Sequence, residues 1–125
     1  MAYTVLIADD SLSIREALCE VFKREADFVV CGLAENGSEA VAKALELHPN
    51  LILLDLLMPV MNGFDAARIL RRVMPHVPII MYTACSDSFI EKEARSVGVS
   101  AFVSKSERLS VLLANARHLV YPMAA

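Results

Sequence analysis

The chain has 125 residues, of which 56 % are hydrophobic and 22 % are charged, and its formal net charge is −3. This size and hydrophobic content predict one folded domain over residues 1–125 and exclude an intrinsically disordered chain. The small negative charge excludes a basic nucleic-acid surface, and no apolar run approaches the roughly 20 residues of a membrane span. The N-terminus has no secretion-signal pattern, so we expect a cytoplasmic protein.

Five short apolar runs recur along the chain, and their continuous hydrophobicity is typical of strands that are covered on both faces. Between them the apolar residues repeat at the helical period, which predicts one buried stripe for each intervening helix. The predicted strands are Tyr3–Ala8, Phe28–Ala34, Leu51–Leu54, Ile79–Tyr82 and Ala101–Ser104. The predicted stripes are Ile14, Leu18, Val21 and Phe22; Val41, Ala44 and Leu45; Ala66, Ala67, Leu70 and Val73; Ile90, Ala94 and Val97; and Leu109, Leu112, Ala116, Leu119 and Val120.

Local signals agree with these helices. Asn36, with Glu39 three residues later, is typical of a helix N-cap, and Ser13 with Glu16 is a weaker version near the first helix. Gly98 suits a helix C-terminus. We therefore expect strands and helices to alternate from end to end.

Such a (βα)5 alternation predicts an α/β fold of the flavodoxin-like kind, with helices on both faces of a doubly wound, five-stranded parallel sheet. The expected strand order is 2-1-3-4-5, with a topological switch point between strands 1 and 3. Asp9 and Asp10 follow strand 1, and Asp55 follows strand 3. Because the carboxyl ends of parallel strands share one edge, these acids should flank the predicted crevice.

Three neighbouring carboxylates repel one another, so their position favours a bound cation. Mg²⁺ fits because it takes oxygen ligands, tolerates few protein carboxylates and keeps several waters. Lys105 follows strand 5 and adds one positive charge. Lys105 and one Mg²⁺ would balance Asp9, Asp10 and Asp55, so the neutral pocket could admit an anionic phosphoryl group.

Asp55 stands alone at its strand end, where a carboxylate can act as a nucleophile toward phosphorus and form an acyl phosphate. This chemistry depends mainly on positioning and charge neutralisation. Lys105 would pair with a phosphoryl oxygen as a point charge, and the hydroxyl of Thr83 could donate to another oxygen. An acid at a strand end can also cap the next helix, and for Asp10 alone that alternative stays open.

The chain resembles the receiver domain of two-component response regulators over essentially its full length. The resemblance rests on Asp9-Asp10, on the segment from Asp55 to Gly63 (DLLMPVMNG), on Thr83-Ala84 and on Lys105. It implies a phosphorelay switch that accepts a phosphoryl group on Asp55 from a sensor histidine kinase or a histidine phosphotransfer protein.

The same resemblance implies a role for each site residue. Asp10 and Asp55 would ligate Mg²⁺ directly, Asp9 largely through water, and Leu57 through its backbone carbonyl. Thr83 would follow the phosphoryl group, and Phe102 matches the family's aromatic switch position. Rotation of that ring would change the surface of the fourth helix, fifth strand and fifth helix, which would serve a homodimer or an output partner. No nucleic-acid or membrane contact is implied for this domain.

Three neighbours depart from the commonest pattern. Ser106 stands where many receivers have a proline in a cis bond, and a cis peptide before a non-proline residue costs about 3 kcal/mol, so we expect a trans bond or a rearranged loop. Lysine without that proline is more similar to receivers of the NarL/LuxR type. Leu57 and Cys85 are poor at orienting an attacking water, which predicts slow loss of the phosphoryl group.

Other functions remain open at this point. A Mg²⁺-dependent phosphohydrolase that uses an aspartyl phosphate would normally carry a second acid two residues after the nucleophile, where this chain has Leu57. A flavodoxin-like cofactor binder would need a Gly/Ser/Thr-rich phosphate loop after strand 1, which is absent from the sequence. A receiver that only docks, without phosphorylation, is disfavoured by the complete set of acids, threonine and lysine.

Two remaining groups are interpreted as structural. The cysteines lack metal-binding spacing and are expected to be free thiols, and the basic cluster is expected to be a solvated helix face. These residues are Cys19, Cys31 and Cys85, and Arg68, Arg71 and Arg72.

Overall fold

The computed structural model describes residues 2–85 and 87–121 and confirms the predicted alternation. The domain predicted over 1–125 therefore includes residues 1, 86 and 122–125, which lie outside the described part. The elements are β1 (Tyr3–Ala8), α1 (Leu12–Lys23), β2 (Phe28–Ala34), α2 (Gly37–Leu47), β3 (Leu51–Leu54), α3 (Gly63–Val73), β4 (Ile79–Thr83), α4 (Ser88–Ser96), β5 (Ala101–Ser104) and α5 (Leu109–Val120).

The sheet has the predicted order, β2-β1-β3-β4-β5, and every pair of neighbouring strands is parallel. β3 and β4 are buried along their whole length, as expected for strands with helices on both faces. β1 pairs with both β2 and β3, and Ala8 lies opposite Leu54. The residues that follow β1 and β3 therefore emerge side by side at the switch point.

Successive strand residues supply two separate cores, because their side chains point to opposite faces of the sheet. Leu6 and Ala8 pack with α2, α3 and α4 on one face. Val5 and Ile7 pack with α1 and α5 on the other. With both faces covered, the carboxyl edge of the sheet is left open for a site.

Helix starts follow local hydrogen bonds. Asn36 caps α2 as predicted, because its side chain accepts the backbone N–H of Glu39 at 2.8 Å. The prediction for Ser13 is wrong: Ser11 caps α1 and accepts the N–H of Ile14 at 3.4 Å. The helix therefore begins directly after the acidic pair.

Some expected burials are also wrong. Three residues of the predicted stripes are exposed: Leu45 at 46 %, Val73 at 45 % and Leu109 at 43 %. Each lies near a helix end: Leu45 in the last turn of α2, Val73 at the last residue of α3 and Leu109 at the first residue of α5. Arg71 is half-buried instead of solvated, because its guanidinium donates to the backbone carbonyls of Pro75 and Val77.

Within the two described ranges, no helix combines the length and apolar content needed to cross a membrane.

Candidate functional site

Three carboxylates meet at the carboxyl edge of the sheet. Asp9 and Asp10 follow β1 and Asp55 follows β3, so the pairing of these strands brings the acids together. One oxygen of each lies within 4.8 Å of the others. Asp9 and Asp55 are buried at 2 % and 6 % exposure, whereas Asp10 is exposed. The group is therefore closed below by the sheet and open to solvent at Asp10.

Lys105 reaches this group from the end of β5. Its Nζ lies 2.8 Å from Asp9 Oδ2 and 3.1 Å from Asp55 Oδ2. The backbone holds the lysine in place, because the Lys105 N–H donates to the carbonyl of Thr83 at 2.9 Å. One cation is thus shared between two buried acids.

Burial and charge act on Asp55 in the same direction. Loss of water around it raises the pKa of its carboxyl group, and the charge of Asp9 raises it further, against the opposing effects of Lys105 and of the Leu56 N–H at 2.8 Å. Burial lowers the pKa of Lys105, but its hydrogen bond to Asp9 and the charge of Asp55 outweigh this and raise it. Lys105 therefore stays charged, yet one lysine does not neutralise three acids.

This excess of negative charge fits a hard divalent cation. The donors are carboxylate oxygens, which Mg²⁺ prefers, and exposed Asp10 gives an ion a path from solvent. Burial first and the charge of Asp9 second raise the pKa of Asp55, and both effects disfavour its charged form unless a cation is near. The residues present therefore suit the predicted ion. The expected role of the Leu57 carbonyl stays a prediction, and its side chain is 62 % exposed.

The loop that follows Asp55 is strained where it passes the site. Val60 has a φ of +69°, and the Met61 N–H donates to the Pro59 carbonyl at 2.7 Å, which closes a tight three-residue turn. A Cβ on Gly63 would lie 2.2 Å from the carbonyl oxygen of Asp55, so only glycine fits there. This close approach brings the start of α3 against the site.

The two predicted switch residues lie on adjacent strands. Thr83 ends β4 at 1 % exposure, and its Oγ accepts the N–H of Cys85 at 3.3 Å. Phe102 lies in β5, partly buried, and lines a surface pocket of about 410 Å³ together with Glu91 of α4 and Val111 of α5. Phe102 thus borders a space between α4, β5 and α5, the three elements of the predicted output surface.

The loop after β5 has a trans Lys105–Ser106 peptide, as predicted. Ser104 organises the turn, because its Oγ accepts the N–H of Ser106 at 3.2 Å and lies 2.8 Å from the Ser106 hydroxyl. Two serines therefore shape the backbone at the position where many receivers have a proline.

One residue beside the site was missed in the sequence. Arg15 of α1 is only 7 % exposed and touches the backbone of Asp9. It stands three and seven residues before Leu18 and Phe22, on the buried stripe of α1. A charged residue at that spacing is the signal that could have revealed it, because a buried charge needs a partner.

Comparisons with known proteins agree with this geometry. The family described as the response regulator receiver domain matches residues 5–117. The chain is 35 % identical over 101 residues to the transcriptional regulatory protein LnrK of Bacillus subtilis, covering 81 % of this chain and 46 % of LnrK. It is 36 % identical over 105 residues to the chemotaxis protein CheY of Thermotoga maritima, covering 84 % of this chain and 87 % of CheY.

A solved structure gives the same result for the fold. The response regulator domain of Thermotoga maritima CheB superposes with a TM-score of 0.90 and 30 % identity, covering 96 % of this chain and 97 % of that one. Several curated relatives are much longer, and the chain spans under half of LnrK and 28 % of a protein-glutamate methylesterase of Hahella chejuensis.

Proposed function

The chain belongs to the response regulator receiver domain family, a phosphoacceptor switch of two-component signalling, and we propose on this premise that Asp55 is its phosphoryl acceptor. One observation carries the assignment to Asp55: this buried carboxylate lies 3.1 Å from Lys105 Nζ within the acidic group. Asp9 is equally buried and is likewise held by Lys105 and by a backbone N–H, that of Ser11 at 2.9 Å, so the family resemblance of the segment from Asp55 to Gly63 decides between the two acids.

In the proposed step a carboxylate oxygen of Asp55 attacks phosphorus, the new O–P bond forms, and the bond from phosphorus to the donor nitrogen or oxygen breaks. The leaving group departs with the bonding electron pair and takes a proton from water. Lys105 would turn from Asp55 to an oxygen of the bound phosphoryl group. Thr83 would donate its hydroxyl to another phosphoryl oxygen.

Asp10 and Asp55 would hold Mg²⁺ directly, with Asp9 acting through water and Leu57 through its carbonyl. When bound, the ion neutralises charge on the phosphoryl oxygens and aligns them with Asp55. This role is supported by the oxygen-rich donor set and by the excess of negative charge described above.

The donor would be a sensor histidine kinase or a histidine phosphotransfer protein, in the cytoplasm. Output would pass through the surface of α4, β5 and α5, either to a second copy of the chain or to another protein or domain. The pocket between α4, Phe102 and α5 supports this direction, because it gives the ring space to move when Thr83 follows the phosphoryl group.

The domain would catalyse only its own phosphorylation and a slow loss of the phosphoryl group. Leu57 supports this, since it occupies the position where a phosphohydrolase needs an acid, and its apolar side chain cannot orient an attacking water. Cys85 is likewise a poor orienting group. We expect the acyl phosphate to persist well beyond seconds.

Incubation with acetyl phosphate and Mg²⁺, followed by intact-mass measurement, tests the proposal. The wild-type protein should gain one phosphoryl group, and Asp55→Asn should gain none. Asp65→Asn is a matched control, because Asp65 is an exposed aspartate in the first turn of α3. Equal labelling of Asp55→Asn and wild type, or no labelling of wild type with any donor, would refute the assignment.

A further inference from the structure

Arg15 is a buried cation whose side chain bridges two chain segments beside the acidic group. Its Nη1 donates to the backbone carbonyl of Asp9 at 2.7 Å. Its Nη2 lies 3.2 Å from Glu35 Oε1, in the connection between β2 and α2. The arginine side chain is 9 % exposed, whereas that of Glu35 is 65 % exposed. The contact with Asp9 is therefore the buried one, and the pair with Glu35 is at the surface.

The carbonyl that Arg15 holds belongs to the peptide linking Asp9 to Asp10. The N–H of Asp9 donates to the carbonyl of Ala34 at 3.0 Å, so both backbone groups of Asp9 are tied to neighbouring structure. Because a peptide is planar, fixing the carbonyl of Asp9 also fixes the direction of the Asp10 N–H and restrains the Asp10 Cα. Arg15 thus contacts the one peptide that the two neighbouring acids share.

Charge alone does not account for this arrangement. A positive charge beside the acids competes with any cation that they bind, and an arginine serving only as a counter-charge would contact a carboxylate oxygen. The buried bond of Arg15 is to the Asp9 carbonyl, and its carboxylate partner is Glu35, which lies outside the acidic group. The three acids therefore keep an excess of negative charge, while the backbone between Asp9 and Asp10 is held in place.

We propose that Arg15 is a positioning residue, which sets the geometry of Asp9 and Asp10 for a divalent cation by clamping the peptide between them. The proposal rests on the function proposed above. Removing a residue that orients a metal ligand typically weakens metal affinity by about 10- to 100-fold. Arg15 contacts the backbone of the ligands and not their carboxylates, so its effect is more indirect. We expect the lower end of that range.

The sign of the change separates positioning from electrostatics. If Arg15 positions the acids, Arg15→Gln should weaken Mg²⁺ binding about tenfold. If it only adds positive charge, the same variant should bind Mg²⁺ more tightly, because a competing cation is gone. Arg68→Gln is the matched control: it makes the same change in net charge at an exposed site on α3, and it should leave the dissociation constant within about twofold of wild type.

Mg²⁺ titrations followed by the backbone amide resonances of Asp10 and Leu56 give the dissociation constant on folded protein. Melting in EDTA reports any loss of fold separately. In EDTA the Asp10 resonance should also move in Arg15→Gln and stay in place in Arg68→Gln. If Arg15→Gln does not fold, Arg15→Lys keeps the charge with a shorter reach and should still bind Mg²⁺ several-fold more weakly than wild type.

Unchanged or tighter Mg²⁺ binding in the folded Arg15 variant would overturn the proposal. That outcome differs from failure of the proposed function, in which wild type itself would not bind Mg²⁺ at Asp10 or accept a phosphoryl group. Weaker Mg²⁺ binding by Arg15→Gln, with the dissociation constant of Arg68→Gln close to that of wild type, supports the proposed role of Arg15.

Discussion

The two ends of the sheet each hold acids around a basic side chain, but the acids are paired to different extents. At the amino end, Arg117 of α5 lies 2.9 Å from Asp27 and 2.5 Å from Glu25, and the hydroxyl of Tyr121 donates to Asp27 at 2.8 Å. At the carboxyl end, Lys105 pairs with Asp9 and Asp55, and no ion pair of Asp10 is found among residues 2–85 and 87–121.

The pKa values of the two ends differ as well. The hydrogen bond from Arg117 is the main reason that the pKa of Asp27 falls to about 2, whereas burial is the main reason that the pKa of Asp55 rises. The same residue types thus form a hydrogen-bonded network at one end and a group with a larger excess of negative charge at the other. We call the two groups the amino-end clasp (Glu25, Asp27, Arg117 and Tyr121) and the carboxyl-end site (Asp9, Asp10, Asp55 and Lys105). The first is held together by hydrogen bonds within the protein, whereas the second is the proposed Mg²⁺ site.

The largest expected effect separates the two ends by their response to Mg²⁺. At an ion concentration 100 times the dissociation constant, binding stabilises the native state by about 2.7 kcal/mol. Asp10→Asn should lose this gain and keep its melting temperature in EDTA. Asp27→Asn should show the reverse, with a lower melting temperature and a full response to Mg²⁺. Thermal melts with and without the ion check both, and a normal Mg²⁺ response in Asp10→Asn would disprove the ligand assignment.

The amino-end clasp can be broken at its cation. Arg117 pairs with two acids, and its guanidinium carbon lies 5.7 Å from the ring centroid of Phe28. Since the side chain is 38 % exposed, the network is screened by solvent, and we expect Arg117→Ala to cost about 1–2 kcal/mol of unfolding free energy. Urea denaturation measures this.

A surface pair gives the baseline for that measurement. Arg68 and Asp65 are 2.7 Å apart, and both side chains are more than half exposed, at 53 % and 54 %. Arg68→Ala should therefore cost about 0.5 kcal/mol or less. Equal losses for the Arg68 and Arg117 variants would mean that the clasp is not a network.

Backbone strain offers a third contrast. A β-branched residue at a φ of +69° costs about 1–3 kcal/mol, so Val60→Gly should stabilise the fold by about 1 kcal/mol after the added freedom of the unfolded chain is subtracted. Val29→Gly is the matched control, because Val29 is an exposed strand residue, and it should destabilise by about 1 kcal/mol. The denaturation midpoints of the two variants should shift from wild type in opposite directions. A destabilised Val60→Gly would show that the loop is not strained.

A further contrast is the pH dependence of the amino-end clasp. The pKa of Asp27 is about 2 in the folded protein and 3.8 ordinarily, so its contribution is present above pH 3.8 and lost as pH falls towards 2. Because Asp27 is near the surface, this amounts to less than about 1 kcal/mol. Asp27→Asn should flatten that part of the stability profile. An unaltered profile in the variant would assign the acid sensitivity to other groups.

Much of the carboxyl-end site was predictable, because its members follow buried apolar runs and parallel strands end at one edge. Asp9, Asp10, Asp55 and Lys105 needed only the strand order to be brought together, and the structure places them within contact distance. Their chemistry was visible because three acids and a lysine at one edge of the sheet favour a bound cation and an anionic group.

The rest depended on contacts that periodicity does not encode. Asp27 and Arg117 are 90 residues apart, and neither belongs to a recognisable motif. Arg15 was not predicted to be buried, and although it stands at helical spacing from Leu18 and Phe22, no pattern says which backbone carbonyl it will meet. Leu45 and Val73 were expected inside because a stripe repeats regularly, whereas both lie near a helix end and are exposed.

The most direct test of the contrast between the two ends is a carboxyl-carbon NMR titration of Asp27 and Asp55 in EDTA. At pH 3.8, the ordinary midpoint for aspartate, Asp27 should be almost fully ionised, and Asp55 should be less ionised than an ordinary aspartate. Adding Mg²⁺ at neutral pH should shift the Asp55 carboxyl resonance and leave that of Asp27 in place. An Asp55 that titrates at or below 3.8, or an Asp27 that responds to Mg²⁺ as strongly as Asp55, would contradict the account.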